Sequence, residues 1–152
     1  MSTGTRRRAR EAALKILYQM EVAGAGAEEA MASYWECFDL EAEGDEYAAE
    51  LVRGIAAQLE AVDSSITSAS TRWRLERMAR VDRNVLRIGA FELLYRADVP
   101  TRVVLDEAIE LGKRFGSEES GAFINGVLDR LARTARVDER ADTEEPTTEG
   151  DA

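Results

Sequence analysis

The chain has 152 residues, of which 45 % are hydrophobic and 33 % charged, with two prolines, one cysteine and no histidine. This is the length of one domain and an ordinary globular composition. It excludes an internal disulfide, a histidine-dependent nucleophile or general base, and histidine metal ligands.

The net charge of −10 argues against a general nucleic-acid binder, but it is unevenly spread. Residues 1–15 carry five cations and one anion, a net of +4, whereas residues 137–152 carry seven acids and one arginine, a net of −6. No run of about 20 apolar residues is present, so no segment is expected to span a membrane. The N-terminus lacks the apolar core of a signal peptide, so a cytoplasmic protein is expected. Ala, Leu, Glu and Arg dominate, which favours an all-α fold.

Residues 1–4 are expected to be disordered. The first helix is predicted from about Arg6 to Val22, with Ala9, Ala13, Ile16, Leu17 and Met20 on one apolar stripe and Gly24 and Gly26 at its end. Its start, RRRAR, is electrostatically awkward. The N-terminal end of a helix is positive, and Arg6 and Arg10 are a like-charge i,i+4 pair. Glu11 offsets part of this through Arg7 and Lys15. Spacing alone leaves two readings: a solvated basic end, or a place where an anion lies in use.

A second helix, about Ala27 to Phe38, places Met31, Tyr34, Trp35 and Phe38 on a core stripe, with Cys37 expected as a small buried hydrophobe. The acidic LEAEGDE reads as a loop, with Asp45 capping a third helix from about Glu46. Asp63-Ser64-Ser65 is a predicted break or bend. Thr71 to Arg80 reads as a short basic helix or connector whose Trp73, Leu75 and Met78 dock on the core.

The stretch VDRNVLRIGAFELLYRADVP predicts a central helix over about Arg83 to Ala97, apolar nearly all round and so buried on most sides. Gly89 within it implies close approach of another helix, Glu92 and Arg96 are spaced for an i,i+4 pair, and Pro100 marks the stop. A helix from about Val103 to Phe115 follows, closed by Gly116. Ser117 can cap the last helix, about Glu118 to Ala135, whose inner face carries Phe123, Ile124, Val127, Leu128 and Leu131. The acidic residues 137–152 are expected to be disordered.

No metal or cofactor motif is present, and Gly112-Lys113 lacks the spacing and the following Ser or Thr of a phosphate loop. Adjacent acids such as Asp106/Glu107 and Glu118/Glu119 point about 100° apart on a helix and read as solvated faces. An enzyme is therefore not expected. Binding remains. On a helical wheel Arg6 and Arg10 flank the apolar stripe, while Arg7 shares a side with Leu14 and Tyr18. Tyr18 lies about 16 Å further along, placed either to stack on a base, to anchor a partner, or to pack at the rim of the core.

RRRARE leading into an apolar turn ending in LY, then VDRNVLRIGAFELLYRADVP, DEAIELGKRFG and FINGVLDRLAR, resemble in order the motifs of the NusB family of bacterial transcription antitermination factors. The resemblance covers about Thr5 to Arg133, with residues 23–71 matching mainly in pattern. It implies an all-α fold of two small helical bundles, about seven helices in all, with the arginine-rich N-terminal helix at their side and the RNA-binding unit spanning residues 5–136. It implies a non-enzymatic role: binding the boxA element of nascent ribosomal RNA transcripts together with NusE, a small-subunit ribosomal protein, so that RNA polymerase reads through terminators.

Carried over by position, Arg6, Arg7 and Arg10 match the family's RNA-contacting arginines, and Phe123 an aromatic near the RNA surface. Arg83 and Arg87 are carried over as further RNA contacts, with a helix-surface role as the alternative. Tyr18 matches a residue important for the NusE and RNA complex. Asp82 stands where the family often has Glu, and Glu119 where it often has Asp; both are expected at the partner surface. Two other readings stay open: a helical protein-interaction adaptor, and a stand-alone relative of the NusB-like domain of RNA cytosine methyltransferases. The family contains both monomers and homodimers.

Overall fold

The computed structural model describes residues 3–38 and 42–137. Within them the chain forms seven α-helices and one 3-10 turn, with no strand among the described residues. The helices are α1 (Thr3–Ala23), α2 (Ala27–Cys37), α3 (Ala42–Ala57), α4 (Leu59–Ala69), α5 (Arg80–Tyr95), α6 (Thr101–Phe115) and α7 (Ser120–Ala135); the 3-10 turn is Leu75–Arg77. None is long and apolar enough to cross a membrane.

The all-α architecture is the expected one, and its boundaries have local causes. α1 starts at Thr3, so Thr3 and Gly4, expected outside the ordered part, are helical. It ends at Gly24, whose φ of 68° suits glycine and whose N–H donates to the Met20 carbonyl at 2.9 Å. α3 begins at Ala42, so Gly44 and Asp45 lie inside it and Asp45 does not cap it. Acids in a first helical turn are favoured by the dipole, which makes AEGDE, residues 42–46, a helix start instead of a loop, while Leu40 and Glu41 lie outside the described residues. The interruption between α3 and α4 falls at Gln58 (φ −112°, ψ 25°), five residues before the predicted break. Over the predicted break, Ser65 Oγ donates to the Val62 carbonyl (2.7 Å) and Thr67 Oγ1 to that of Asp63 (2.9 Å) along an intact helix.

α5 is the centre of the molecule, packed against α1, α3, α4, α6 and α7. The first three helices group on one side of it and the last two, with α4, on the other. Two glycines allow close approaches to and from α5. A Cβ on Gly89 would stand 2.6 Å from Leu128 Cδ1 of α7, and one on Gly54 of α3 would stand 2.2 Å from Phe91 Cζ. The expected approach at Gly89 is thus made by α7.

α7 starts at Ser120, two residues later than predicted. Ser120 Oγ accepts from the Ser117 N–H (2.9 Å) and donates to Asp82 Oδ1 (2.7 Å), tying the start of α7 to α5. At the other end the buried Arg136 guanidinium donates to the carbonyls of Glu92 (3.0 Å), Leu93 (3.2 Å), Arg96 (3.0 Å) and Val99 (2.6 Å). It thereby satisfies the Leu93 carbonyl left open at the end of α5 and adds a second donor to those of Glu92 and Arg96, which already accept from the Arg96 and Val99 N–H groups.

Three core expectations fail. Cys37 is exposed. Phe38, just past the end of α2, is exposed too, stacked on Tyr34 with ring centroids 4.6 Å apart. Of the connector residues, Met78 is buried and Leu75 half-buried, but Trp73 points to solvent. The expected acidic tail, apart from Val137, lies outside the described residues.

Candidate nucleic-acid interface

The arginines at the start of α1 meet anions, and those anions belong to the protein. Arg10 is 2 % exposed. Its Nε donates to both oxygens of Glu92 at 3.1 and 3.0 Å, and its Nη1 lies 3.5 Å from Glu107. Tyr47 donates its hydroxyl to the same Glu92 carboxylate. Burial disfavours the charged Arg10, but Glu92, Tyr47 and Glu107 outweigh it and raise its pKa further. Burial, with Glu92 behind it, likewise pushes the Tyr47 hydroxyl far above its ordinary range. Arg10 is therefore an internal ion-pair residue and presents no face to RNA, contrary to the role carried over to it.

Arg7 and Arg6 differ. Arg7 makes a two-point pair with Glu107 (Nε–Oε1 3.1 Å, Nη2–Oε2 2.7 Å), yet its side chain is 49 % exposed and its remaining nitrogen can reach outward. Arg6 lies over the Tyr47 ring, 4.5 Å from the centroid, and reaches Asp98 at 3.5 Å. Arg96 holds Asp98 more closely, with both bonds at 3.0 Å, and also pairs with Glu50. These contacts, the Arg96 hydrogen bonds foremost, lower the Asp98 carboxyl to about 2. The expected Glu92–Arg96 pair does not form, because Glu92 points inward to Arg10. Glu11 turns to Arg114 of α6 instead of to Arg7 or Lys15.

The other end of α1 carries Tyr18 and Glu21. Tyr18 is exposed, with Arg80 Cζ 5.9 Å from its ring centroid. Glu21 gathers Arg80 (3.1 Å), Arg83 (2.6 Å) and Arg87 (2.6 Å), and Arg87 also holds Asp63 at 2.8 Å. Burial opposes the Glu21 charge, but Arg83 and Arg87 outweigh it and keep the carboxyl below its usual range. Arg83 and Arg87 are only 15 % and 13 % exposed. Their geometry is that of a clamp between α1, α4 and α5.

The three remaining sequence-predicted residues come together. Asp82, Glu119 and Phe123 line one groove of ≈ 800 Å³ between the connector, the start of α5 and the start of α7. Arg72, Trp73 and Arg77 form its other wall, and Met78 and Ala122 contribute to its lining. Ser120 positions Asp82, and Ser117 Oγ donates to Glu119 Oε2 at 3.2 Å. The groove's lining thus combines carboxylates, arginines and aromatic surface. Sequence reading missed the arginine wall, though RWRLER holds three arginines and a tryptophan within six residues.

Fold and groove define an all-α protein with an arginine-rich first helix and a mixed acidic, basic and aromatic groove between its helices. The model of the NusB family matches residues 7–133. The transcription antitermination protein NusB of Sorangium cellulosum is 57 % identical over 136 residues, spanning 89 % of this chain and 97 % of its own. Among solved structures, T. maritima NusB superposes with a TM-score of 0.76 at 42 % identity, covering 84 % of this chain and 90 % of its own. A chain from a crystal structure of antitermination factors NusB and NusE in complex with dsRNA gives 0.79 at 29 % identity, with 88 % and 99 % covered. The chain belongs to the NusB family.

Proposed function

We propose that this protein is a transcription antitermination factor that binds the boxA RNA of nascent ribosomal transcripts jointly with NusE, and through that complex acts on RNA polymerase in the cytoplasm. The role is non-catalytic. The observation that carries it is similarity over 88 % of this chain to a chain solved with NusE and dsRNA. Arg6 and Arg7 are the phosphate contacts of α1, since Arg7 is half-exposed and held in place from behind by Glu107. Arg10 supports them by fixing the helix on Glu92, and Arg83 and Arg87 do the same at the other end. Phe123 supplies a stacking surface. Tyr18, Asp82 and Glu119 receive NusE, where a half-buried and an exposed carboxylate beside an aromatic suit a basic partner.

The test is a mobility-shift titration of boxA RNA at several salt concentrations, with NusE present. Replacing Arg6 and Arg7 by Ala lowers the magnitude of the log–log salt slope by about 0.7 for each lost phosphate contact on a single strand. An unchanged slope and affinity would overturn the assignment of those two residues.

A further inference from the structure

One end of the molecule collects cations from three helices. Arg6 and Arg136 both reach the loop between α5 and α6. Arg6 Nη2 lies 3.5 Å from Asp98, and Arg136 Nη1 donates to the neighbouring Val99 carbonyl at 2.6 Å. Arg136 also donates to Thr101 Oγ1 at 3.1 Å, and Arg102 follows in the first turn of α6 with its side chain 91 % exposed. This loop therefore joins the end of α7 to the start of α1 and the start of α6.

The cations here keep capacity for a further anion. Arg6 Nε makes no hydrogen bond with any described residue, and the Asp98 that Arg6 reaches is held more closely by Arg96. Arg7 donates Nε and Nη2 to Glu107, which leaves Nη1 for a second carboxylate or phosphate. Arg102 meets Asp106 at 3.8 Å across two exposed side chains, a pair of the kind that contributes little and yields readily.

The chain carries such an anion directly after α7. Residues 138–152 hold seven carboxylates and one arginine, so that without them the net charge is −4 instead of −10. Fully extended, these residues reach about 50 Å, whereas Arg6 to Arg10 is about 6 Å of helix. A ligand joined to its site by a short stretch of chain acts at an effective concentration on the order of mM. The opposite end of α7 is less suited. It lies about 24 Å away by the rise per residue, and there Asp82 and Glu119 share a groove with Arg72 and Arg77 and repel an acidic segment.

We propose that residues 138–152 are an internal competitor for RNA. Their carboxylates lie on Arg6, Arg7 and Arg102, and they have to leave before phosphates can take Arg6 and Arg7. This rests on the antitermination reading and adds regulation to it: weakly held RNA is kept off α1, and boxA RNA bound jointly with NusE displaces the segment.

The experiment uses the full chain and has two readouts. The first needs no RNA. Cys37, the one cysteine, is replaced by Ser and Gly150 by Cys, and a nitroxide is attached at position 150. Backbone amide signals of residues 3–10 and 98–103 are then broadened at low salt. They recover at about 1 M salt, where the screening length is about 3 Å, and on addition of boxA RNA with NusE. The second readout is boxA affinity with saturating NusE after the seven acids of residues 138–152 are changed to Asn or Gln. A segment docked about 80–90 % of the time weakens apparent affinity about 5- to 10-fold, so the neutralised variant binds tighter by that factor. Most of this gain disappears when Arg6→Ala and Arg7→Ala are already present, as expected of groups that touch.

Unbroadened signals at the start of α1, or broadening confined to residues 72–77, would overturn the proposal while leaving the antitermination reading intact. So would an equal gain in affinity with and without Arg6 and Arg7, since the acids would then act by general repulsion. Failure of the parent and of the neutralised variant to bind boxA RNA with NusE would overturn both.

Discussion

Arg10 and Glu92 are an enclosed ion pair, and removing one partner leaves the other charged and buried. Arg10→Ala is therefore expected to cost about 3–5 kcal/mol of stability. Arg7→Ala, which breaks a half-exposed pair, costs about 1 kcal/mol or less. Urea unfolding of the two variants checks the contrast. Replacing Arg10 by Met and Glu92 by Leu together recovers much of the loss, since no charge is then stranded. The residue scale also sets a pH dependence. Glu21 and Asp98 have folded pKa values below their unfolded ones, Asp98 at about 2. Their contribution is fully present above the unfolded values near about pH 4 and is lost as pH falls through the folded ones. Glu21→Gln is expected to lose less stability than the parent between about pH 5 and pH 2, measured by urea midpoints at each pH. The role of Arg10 was within reach of the sequence. A glutamate inside an otherwise apolar helix demands a buried cation, and an arginine flanking the apolar stripe of the first helix supplies one. Local i,i+4 spacing pointed to Arg96 instead, and pairs distant in sequence leave no such spacing to read.

At the scale of elements, α1 divides its length into three jobs. Its N-terminal turns carry Arg6 and Arg7, its middle buries Ala12, Ala13, Ile16 and Leu17, and its last turns present Tyr18 outward and Glu21 to α5. The placement of cations against the helix dipole is answered by Glu92, Glu107 and Asp98, which reach α1 from α5, from α6 and from the α5–α6 loop. Helix existence and the core stripe were legible from periodicity, and the central place of α5 from its lack of polar surface. The break at Gln58 was not, because no breaker residue marks it; nor was the exposure of Trp73, since apolar character alone suggests docking. Glycine separates packing from open space. Gly54→Ala must displace the Phe91 ring and is expected to lose about 1–3 kcal/mol through overpacking, less about 1 kcal/mol regained in helix propensity. Gly126→Ala, with open space around it, is expected to gain up to about 1 kcal/mol. Thermal or urea midpoints of the two variants should move in opposite directions.

For the whole molecule, charge decides how RNA is held. A net charge of −10 repels RNA from most of the surface, so affinity has to come from a few local cations. Many arginines neutralise the protein's own carboxylates, which lowers the number available for phosphate. A basic partner seated on the carboxylates of the groove would remove local repulsion and complete a path for the strand. Binding by this protein alone is therefore expected to be weak, and binding with NusE strong. The most direct measurement is the affinity for boxA RNA with and without saturating NusE at one fixed salt concentration, with a scrambled RNA of equal length alongside. The account predicts that NusE tightens boxA binding at least tenfold, about 1.4 kcal/mol, and tightens the scrambled RNA much less. Equal boxA affinity with and without NusE, or equal tightening of the scrambled RNA, would contradict it.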